Sequence, residues 1–104
     1  MRQIVDGLLY DSENAEVIGE CGAFESDRSN FRWWDGTLHR TEKGRFFLAG
    51  QGGPMSRFAD IEGRTRRSGS GIQPLTDAEA LDLASLHLDS DVVEKHFAHM
   101  IEPA

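Results

Sequence analysis

Histidines are the side chains of this 104-residue chain with the most chemical potential. His87, His96 and His99 lie close together near the carboxyl terminus, and a spacing of three residues puts His96 and His99 on one face of a helix. Such a pair could bind a metal ion, but no second pair of ligands has the spacing of a zinc site. We therefore predict surface histidines, with no metal and no other cofactor.

Catalysis needs a nucleophile, a base and a group that orients the base. His39 lies in a predicted hairpin, with carboxylates such as Asp35 not far away in sequence. One histidine among many acids is common in a chain of this size, so this signal for catalysis is weak. A small domain also has little volume for a pocket that excludes water. We predict no catalytic residues and a protein that is not an enzyme, and a small enzyme built around His39 stays as a third hypothesis.

Cys21 is the single cysteine, which excludes an internal disulfide and fits a reducing compartment. The amino terminus lacks the apolar core of a signal peptide, and no apolar run of about eighteen residues is present. We expect a protein of the host cell cytoplasm that does not cross a membrane.

Charge is divided unevenly along the chain, whose formal net charge is -7. Residues 1–27 carry -6, residues 28–67 carry +5 and residues 68–104 carry -6. Such a distribution bears on partners and solubility rather than on the fold. The basic middle could bind a partner, or its side chains could pair with the acids of the two flanks in the folded domain.

Residues 50–71 predict a long loop, since they contain six of the eleven glycines together with Pro54 and show no periodicity. The GQGGP run at 50–54 lacks the spacing of a phosphate-binding loop, and no helix follows it. Arginine suits the recognition of carboxylates and phosphates. The candidate anchors in this segment are Arg57, Arg64, Arg66 and Arg67, unless the loop is simply solvated.

Trp33 and Trp34 are adjacent, so in a strand their side chains point to opposite faces. One should pack inward, while the other could anchor a partner or stack on a base. The alternative is that both pack against the protein.

The first half of the chain predicts two hairpins. The first joins strands at 8–10 and 15–19 through a turn at 11–14. The second joins 37–41 and 45–49, with Gly44 at a position of positive φ, and its second strand should be central because it is apolar on both faces. Residues 22–30 indicate a connecting loop, and 72–75 a short strand.

The carboxyl-terminal segment 76–101 predicts two acidic helices. Thr76 and Glu79 form a capping box, and the first helix should run to about Leu86 with Ala80, Leu81, Ala84 and Leu88 near its buried side. The second should begin at 89–91, with Val93, Phe97, Met100 and Ile101 on one apolar face. Acidic candidates for partner binding on the exposed sides are Asp77, Asp82, Asp89, Asp91 and Glu94. The whole chain, 1–104, then forms a single α+β domain: a small antiparallel sheet of about four to five strands packed with two helices.

The run LHRTEKGRFFLAGQGGPM at 38–55 resembles a family of small uncharacterised proteins of bacterial phages, plasmids and integrated elements. Its pattern is close to L-[YH]-R-T-x-x-G-x-[FW]-F-L-x-G-x-G-G, and the resemblance extends to residues 9–11, 69–76 and the acidic helix that follows. His39 stands where the pattern more often has an aromatic residue. The family has no assigned catalytic residues, and the resemblance implies an accessory protein of a mobile element.

Proteins of that setting frequently block host defence complexes, and anti-CRISPR inhibitors are one such group. We therefore expect a non-enzymatic inhibitor that binds a host nucleic-acid-handling complex, with acidic surfaces that compete with nucleic acid for basic channels. Trp33, Trp34 and the arginines would be its anchors. The alternative is a small nucleic-acid-binding protein that uses the basic 28–67 segment, although the net charge opposes it.

Overall fold

The computed structural model describes residues 1–22 and 31–104. The loop predicted at 22–30 therefore lies, apart from its first residue, outside the described residues. The described part contains eight strands and two α-helices, which confirms the α+β class. The elements are β1 (Arg2–Val5), β2 (Leu8–Asp11), β3 (Glu16–Gly22), β4 (Trp34–Arg40), β5 (Phe46–Gly52), β6 (Asp60–Glu62), β7 (Thr65–Arg67), β8 (Gly69–Leu75), α1 (Asp77–His87) and α2 (Ser90–Phe97), with a single 3-10 turn at Ala98–Met100.

A four-stranded antiparallel sheet with the order β3-β4-β5-β8 is the centre of the fold. The prediction that the second strand of the 37–49 hairpin is central is confirmed, since β5 pairs with a neighbour on each side. Phe46 and Leu48 belong to the larger core, and Phe47 belongs to a second core. The apolar side chains of β5 are thus buried on both faces of the sheet.

The β4–β5 hairpin has the turn that the sequence predicts. The Thr41 N–H donates to the Arg45 carbonyl over 2.7 Å, which leaves three residues in the loop. Gly44 has a φ of 86° and its N–H donates to the Thr41 carbonyl over 2.9 Å. Glycine is favoured there because a side chain rarely adopts positive φ.

The first predicted hairpin is wrong in its pairing. β2 pairs with β1 through a turn at Asp6 and Gly7, whose φ values of 52° and 78° fit a type I′ turn. β3 pairs instead with β4. A turn does form at 11–14, where the Asp11 carboxylate accepts the Glu13 N–H and the Asn14 side-chain amide, but it joins the hairpin to the sheet.

The segment 50–71 is not one long loop. β5 continues to Gly52, β8 begins at Gly69, and between them β6 and β7 form a separate hairpin. These strands were not predicted because β6 and β7 have three residues each and all of these residues are exposed. A strand without a buried face has no alternation of apolar and polar residues to detect.

The two helices cover one face of the sheet. Both bonds of the predicted capping box are present: the Thr76 hydroxyl accepts the Glu79 N–H, and the Glu79 carboxylate accepts the Thr76 N–H. Ala80 and Ala84 are buried, and Leu81 and Leu88 pack beside them, as predicted. Neither helix in the described ranges is long and apolar enough to span a membrane.

The second helix is shorter than the sequence predicts from its apolar residues, which continue to Ile101. α2 ends at Phe97, which is fully buried and stacks on Phe46 with ring centroids 5.0 Å apart. Met100 lies in the 3-10 turn and still packs on the core, but Ile101 is 39% exposed. The predicted apolar face is therefore covered only over its first part.

The β1–β2 hairpin covers the other face of the sheet. Tyr10 packs edge-on against Phe47 at 5.5 Å, and Ile72 completes this second core. The Gln3 side-chain oxygen accepts the Ile72 N–H over 3.1 Å, which attaches the hairpin to the edge strand β8. The molecule thus has three layers: hairpin, sheet and helices.

Candidate functional site

The β6–β7 hairpin, here called the arginine hairpin (residues 60–67), carries three of the four arginines predicted as anchors. All of its residues are exposed. Arg64 lies in the turn, and the register places Arg66 opposite Ile61 and Arg67 opposite Asp60. Since neighbouring residues of a strand point to opposite faces, Arg66 and Arg67 belong to different sides of the hairpin.

Arg67 is engaged by acids of the same hairpin. Its guanidinium lies 2.7 Å from the Glu62 carboxylate and 3.5 Å from that of Asp60. The hypothesis that the arginines pair with the protein's own acids thus holds for this residue, although the acids come from the basic segment and not from the flanks. Exposed pairs of this kind contribute about 0–1 kcal/mol, so a partner could replace them at little cost.

Arg66 and Arg64 are differently placed. The Arg66 Nε donates to the Pro54 carbonyl over 3.0 Å, which orients the side chain and leaves its terminal nitrogens to other acceptors. Arg64 forms no ion pair within the described ranges. These two residues are the ones through which the hairpin could bind a carboxylate or phosphate group.

Arg57 lies apart from the hairpin and has a structural role. Its guanidinium lies over the Trp34 ring, 5.2 Å from the centroid, and its Nε donates to the Gln73 side-chain oxygen over 2.9 Å. Gln73 donates back to the Arg57 carbonyl. Burial lowers the pKa of Arg57, an effect that the nearby Glu79 opposes. These contacts attach the segment after β5 to the sheet, so Arg57 is not brought together with the other three arginines.

Both tryptophans pack against the protein. Trp34 lies against the larger core, with its ring 6.0 Å from that of Phe58 and 5.6 Å from that of His87. Trp33 is half-buried, its carbonyl accepts the Gly53 N–H over 2.8 Å, and its ring lies so near Gly53 that a Cβ there would be 2.8 Å from the indole nitrogen. This arrangement matches the alternative that the sequence left open.

The acidic candidates are all exposed, as predicted: four lie on α1 and α2, and Asp89 is the residue that precedes α2 as its N-cap. None of them forms an ion pair with a basic side chain in the part of the chain that the structure describes; they are Asp77, Asp82, Asp89, Asp91 and Glu94. Folding therefore leaves the negative charge of this segment in solvent. β8 lies between the arginine hairpin and the start of α1. At roughly 3.3 Å per residue, this strand separates the two by about 20 Å.

His96 corrects the prediction of surface histidines. Its ring is only 8% exposed, and its Nδ1 lies 2.9 Å from Glu16, whose other carboxylate oxygen lies 3.3 Å from Arg40. The pairing joins α2 to β3, two elements far apart in sequence, and no local pattern could reveal it. His99 is exposed, while His87 is half-buried, and burial together with Arg57 lowers the pKa of His87.

His39 and Cys21 are buried in the sheet. His39 stacks on Phe47 with ring centroids 4.9 Å apart, and its Nδ1 has no hydrogen-bond partner in the described residues. Burial lowers the pKa of His39, and the Met1 ammonium lowers it further. Burial also raises the pKa of the Cys21 thiol to about 11, so the thiolate needed for nucleophilic attack is scarce near neutral pH. Across the described ranges, no three His, Cys, Asp or Glu residues converge to hold a metal ion.

No family model, curated protein or solved structure matches this chain. Its function is therefore inferred from the surface chemistry described above and from the motif at 38–55.

Proposed function

We propose that this chain is an accessory protein of a mobile genetic element that inhibits a host nucleic-acid-handling defence complex by binding to it, without catalysing a reaction. A CRISPR effector is the target that we favour. The motif at 38–55 supports the mobile-element origin by resemblance. One structural observation carries the inhibitory mechanism: the five exposed acidic candidates of the segment 76–101 form no ion pair with a basic side chain among the described residues.

The mechanism follows from charge. Proteins that bind nucleic acid attract phosphates with clustered lysine and arginine side chains. Carboxylates offer the same sign of charge to the same cations, and residues 68–104 carry a formal charge of -6. The helical face would thus compete with nucleic acid for a basic channel.

The arginine hairpin supplies a second point of attachment. Arg64 and Arg66 expose donors for charge-assisted hydrogen bonds, which are the stronger class. A few such residues carry most of the energy of a typical interface. Binding through two separated surfaces of opposite charge would select a partner that has both a basic channel and an acidic neighbouring patch.

The test is copurification from host lysate followed by a competition assay with the recovered complex. The variant neutralises three helical acids (Asp82→Asn, Asp91→Asn, Glu94→Gln). A matched control neutralises three exposed acids elsewhere (Glu13→Gln, Glu20→Gln, Glu42→Gln) and changes the net charge equally. We expect the chain to displace nucleic acid from the complex, and the helical variant to be about tenfold weaker than the control.

Two results would overturn the proposal. One is that no nucleic-acid-handling complex is recovered from the host. The other is equal competition by the helical variant and its control, because the effect would then reflect net charge and not the helical face.

Direct binding of nucleic acid is the second candidate, and the exposed arginine hairpin is the observation that favours it. A gel shift at low salt tests it with the double variant Arg64→Ala, Arg66→Ala. The net charge of -7 predicts no shift. A shift that disappears in the double variant would establish this candidate instead.

A further inference from the structure

An open groove lies between α1 and α2. Its volume is about 390 Å³. Leu81, Ser85 and Leu88 line it from α1 and the residue that follows, at the i, i+4 and i+7 positions of one helix face. The lining from the other wall consists of Ser90, Val93, Glu94, Met100 and Ile101. The groove is therefore built from two helices and the turn that follows them.

The groove has an apolar floor and a polar rim. Val93 is buried, and Leu81, Leu88 and Met100 are half-buried, so their side chains form the floor. Ile101 is exposed at the edge, as are the two serines and Glu94. This is the arrangement of a binding groove, in which apolar contacts give affinity and a few polar groups fix orientation.

The charge around the groove indicates what it would bind. Glu94 lines it, and Asp82, Asp89 and Asp91 are exposed acids of the same helical segment, 76–101. Lys95 is the single lysine or arginine in residues 76–101, against six acids. A complementary ligand therefore has apolar side chains flanked by positive charge.

We propose that this groove binds a cationic amphipathic helix of the partner protein. A helix presents apolar anchors at i, i+3, i+4 and i+7, which suits an apolar groove between two helices. Lysine or arginine side chains on its flanks would meet Glu94 and the negative charge of the surrounding segment 76–101. A second copy of this chain is a poorer occupant because its own helical segment has the same negative charge.

The inference deepens the proposed function, since it names the kind of surface that the acidic helices would bind. It rests on that proposal for its biological partner, but not for the groove itself. A synthetic peptide therefore tests the groove separately from the lysate experiment.

The probe is a fluorescent peptide of leucine and lysine, about 18 residues or roughly five helical turns long, with leucines at helical spacing. A scrambled peptide of the same composition lacks the apolar face. Fluorescence anisotropy measures binding of each peptide at low and at physiological salt. We expect the amphipathic peptide to bind at least about tenfold more tightly than the scrambled one.

Two variants test the location, each with a matched control. Ile101→Ser removes an apolar contact from the groove without adding a charge, whereas Leu86→Ser makes the same change at a leucine that is 77% exposed outside the groove lining. Glu94→Lys reverses a charge in the groove, whereas Glu13→Lys does so in the β2–β3 turn. We expect about tenfold weaker binding for the two groove variants and less than about twofold change for the controls. Circular dichroism confirms that each variant folds.

Equal affinity for the two peptides would overturn the proposal, because it indicates attraction by charge alone. So would an Ile101→Ser variant that binds as well as the native chain. Concentration-dependent dimerisation that Ile101→Ser abolishes would assign the groove to a second copy. If the two groove variants lose peptide binding and the two control variants keep it, the result supports the groove proposal, even if no host complex is recovered.

Discussion

Replacement of His39 by phenylalanine should stabilise the protein. His39 is 4% exposed, and its Nδ1 has no hydrogen-bond partner in the described residues. A buried polar atom without a partner loses its hydrogen bond to water when the protein folds and gains nothing in return. The ring already stacks on Phe47 with an interplanar angle of 12°, and phenylalanine can keep that stacking.

The size of the gain follows from these contacts. An unsatisfied buried acceptor costs about 1–3 kcal/mol, and phenylalanine removes it. Phenylalanine is somewhat larger than histidine, but the cross-strand neighbour Val17 is 59% exposed, so the site is open on that side. We expect a net gain of about 1–2 kcal/mol, with a rise in melting temperature of about 4–8 °C per kcal/mol for a domain of this size.

The same substitution should reduce the sensitivity of the protein to acid. Burial and the Met1 ammonium lower the pKa of His39 below 6.5, so the folded state holds a neutral ring. Its contribution to stability is unaffected above pH 6.5. As the pH falls below 6.5, the unfolded chain takes up a proton first, and stability is lost by up to about 1.4 kcal/mol per pH unit until the folded pKa is reached.

Urea denaturation at pH 7.5 and pH 5 measures both effects. The control is His99→Phe at an exposed position, where the stability at pH 7.5 should change by no more than about 0.5 kcal/mol. His39→Leu is a second test variant, smaller than phenylalanine, which separates the loss of the polar atom from any crowding. If both His39 variants are less stable than the native chain at pH 7.5, the Nδ1 has a partner and the reasoning is refuted.

Three further substitutions or reactions test other parts of the fold. Thr76→Ala should cost about 1 kcal/mol in chemical denaturation. It should also weaken acid sensitivity in part: the Thr76 backbone N–H, which the variant keeps, and the Thr76 side chain, which it loses, both lower the pKa of Glu79, and that contribution is lost as the pH falls below about 4.5 through the folded pKa. Cys21 should react slowly with Ellman's reagent at pH 8 and quickly after unfolding; fast labelling of the native chain would contradict its burial. Gly50→Ala should cost about 3 kcal/mol or more, because its Cβ would lie 2.2 Å from the Asp35 carbonyl oxygen, and native stability in a thermal melt would disprove that close approach.

Local signals predicted the parts of the fold in which neighbouring residues determine the structure. The capping box needs only Thr76 and the glutamate three residues later, and it begins α1 as predicted. Gly44 is required by the conformation of its own turn. The position of β5 in the sheet follows from its apolar residues alone, because they need cover on both faces.

The pairing of β2 was predicted wrongly, although the Asp6-Gly7 dipeptide is a local signal for its true partner, β1. The 8–11 strand had two possible neighbours, and the turn at 11–14 suggested β3, but the Asp6–Gly7 turn pairs it with β1. The choice depends on which core each strand fills: Tyr10 of β2 packs with Phe47, whereas Cys21 of β3 belongs to the helical side. That difference between the two cores is not local to either strand, and the prediction of a β2–β3 hairpin lacked it.

The four candidate arginine anchors differ in their contacts, and those contacts depend on residues that the fold brings near. Their exposure could be predicted from their charge, but their partners could not. Arg57 is stacked on Trp34, a residue 23 positions earlier, whereas Arg67 pairs within its own hairpin. For Arg64 and Arg66, the predicted role as partner-binding anchors stays a prediction that the binding experiments test.

The ion pairs of Arg2, Arg40 and Arg67 indicate why the acids of the helical segment keep their negative charge. They join residues that the sheet brings side by side: Arg2 with Asp11, Arg40 with Glu16, and Arg67 with its two cross-strand acids. Every one of these arginines lies on a strand, and each finds its acid on the paired strand. The helical acids lie beyond the reach of these side chains, since the helices cover the sheet with their apolar face and turn their acids outward. The negative surface is thus a consequence of the layered fold, and a partner with a basic, helical binding segment is the kind of molecule that would neutralise it.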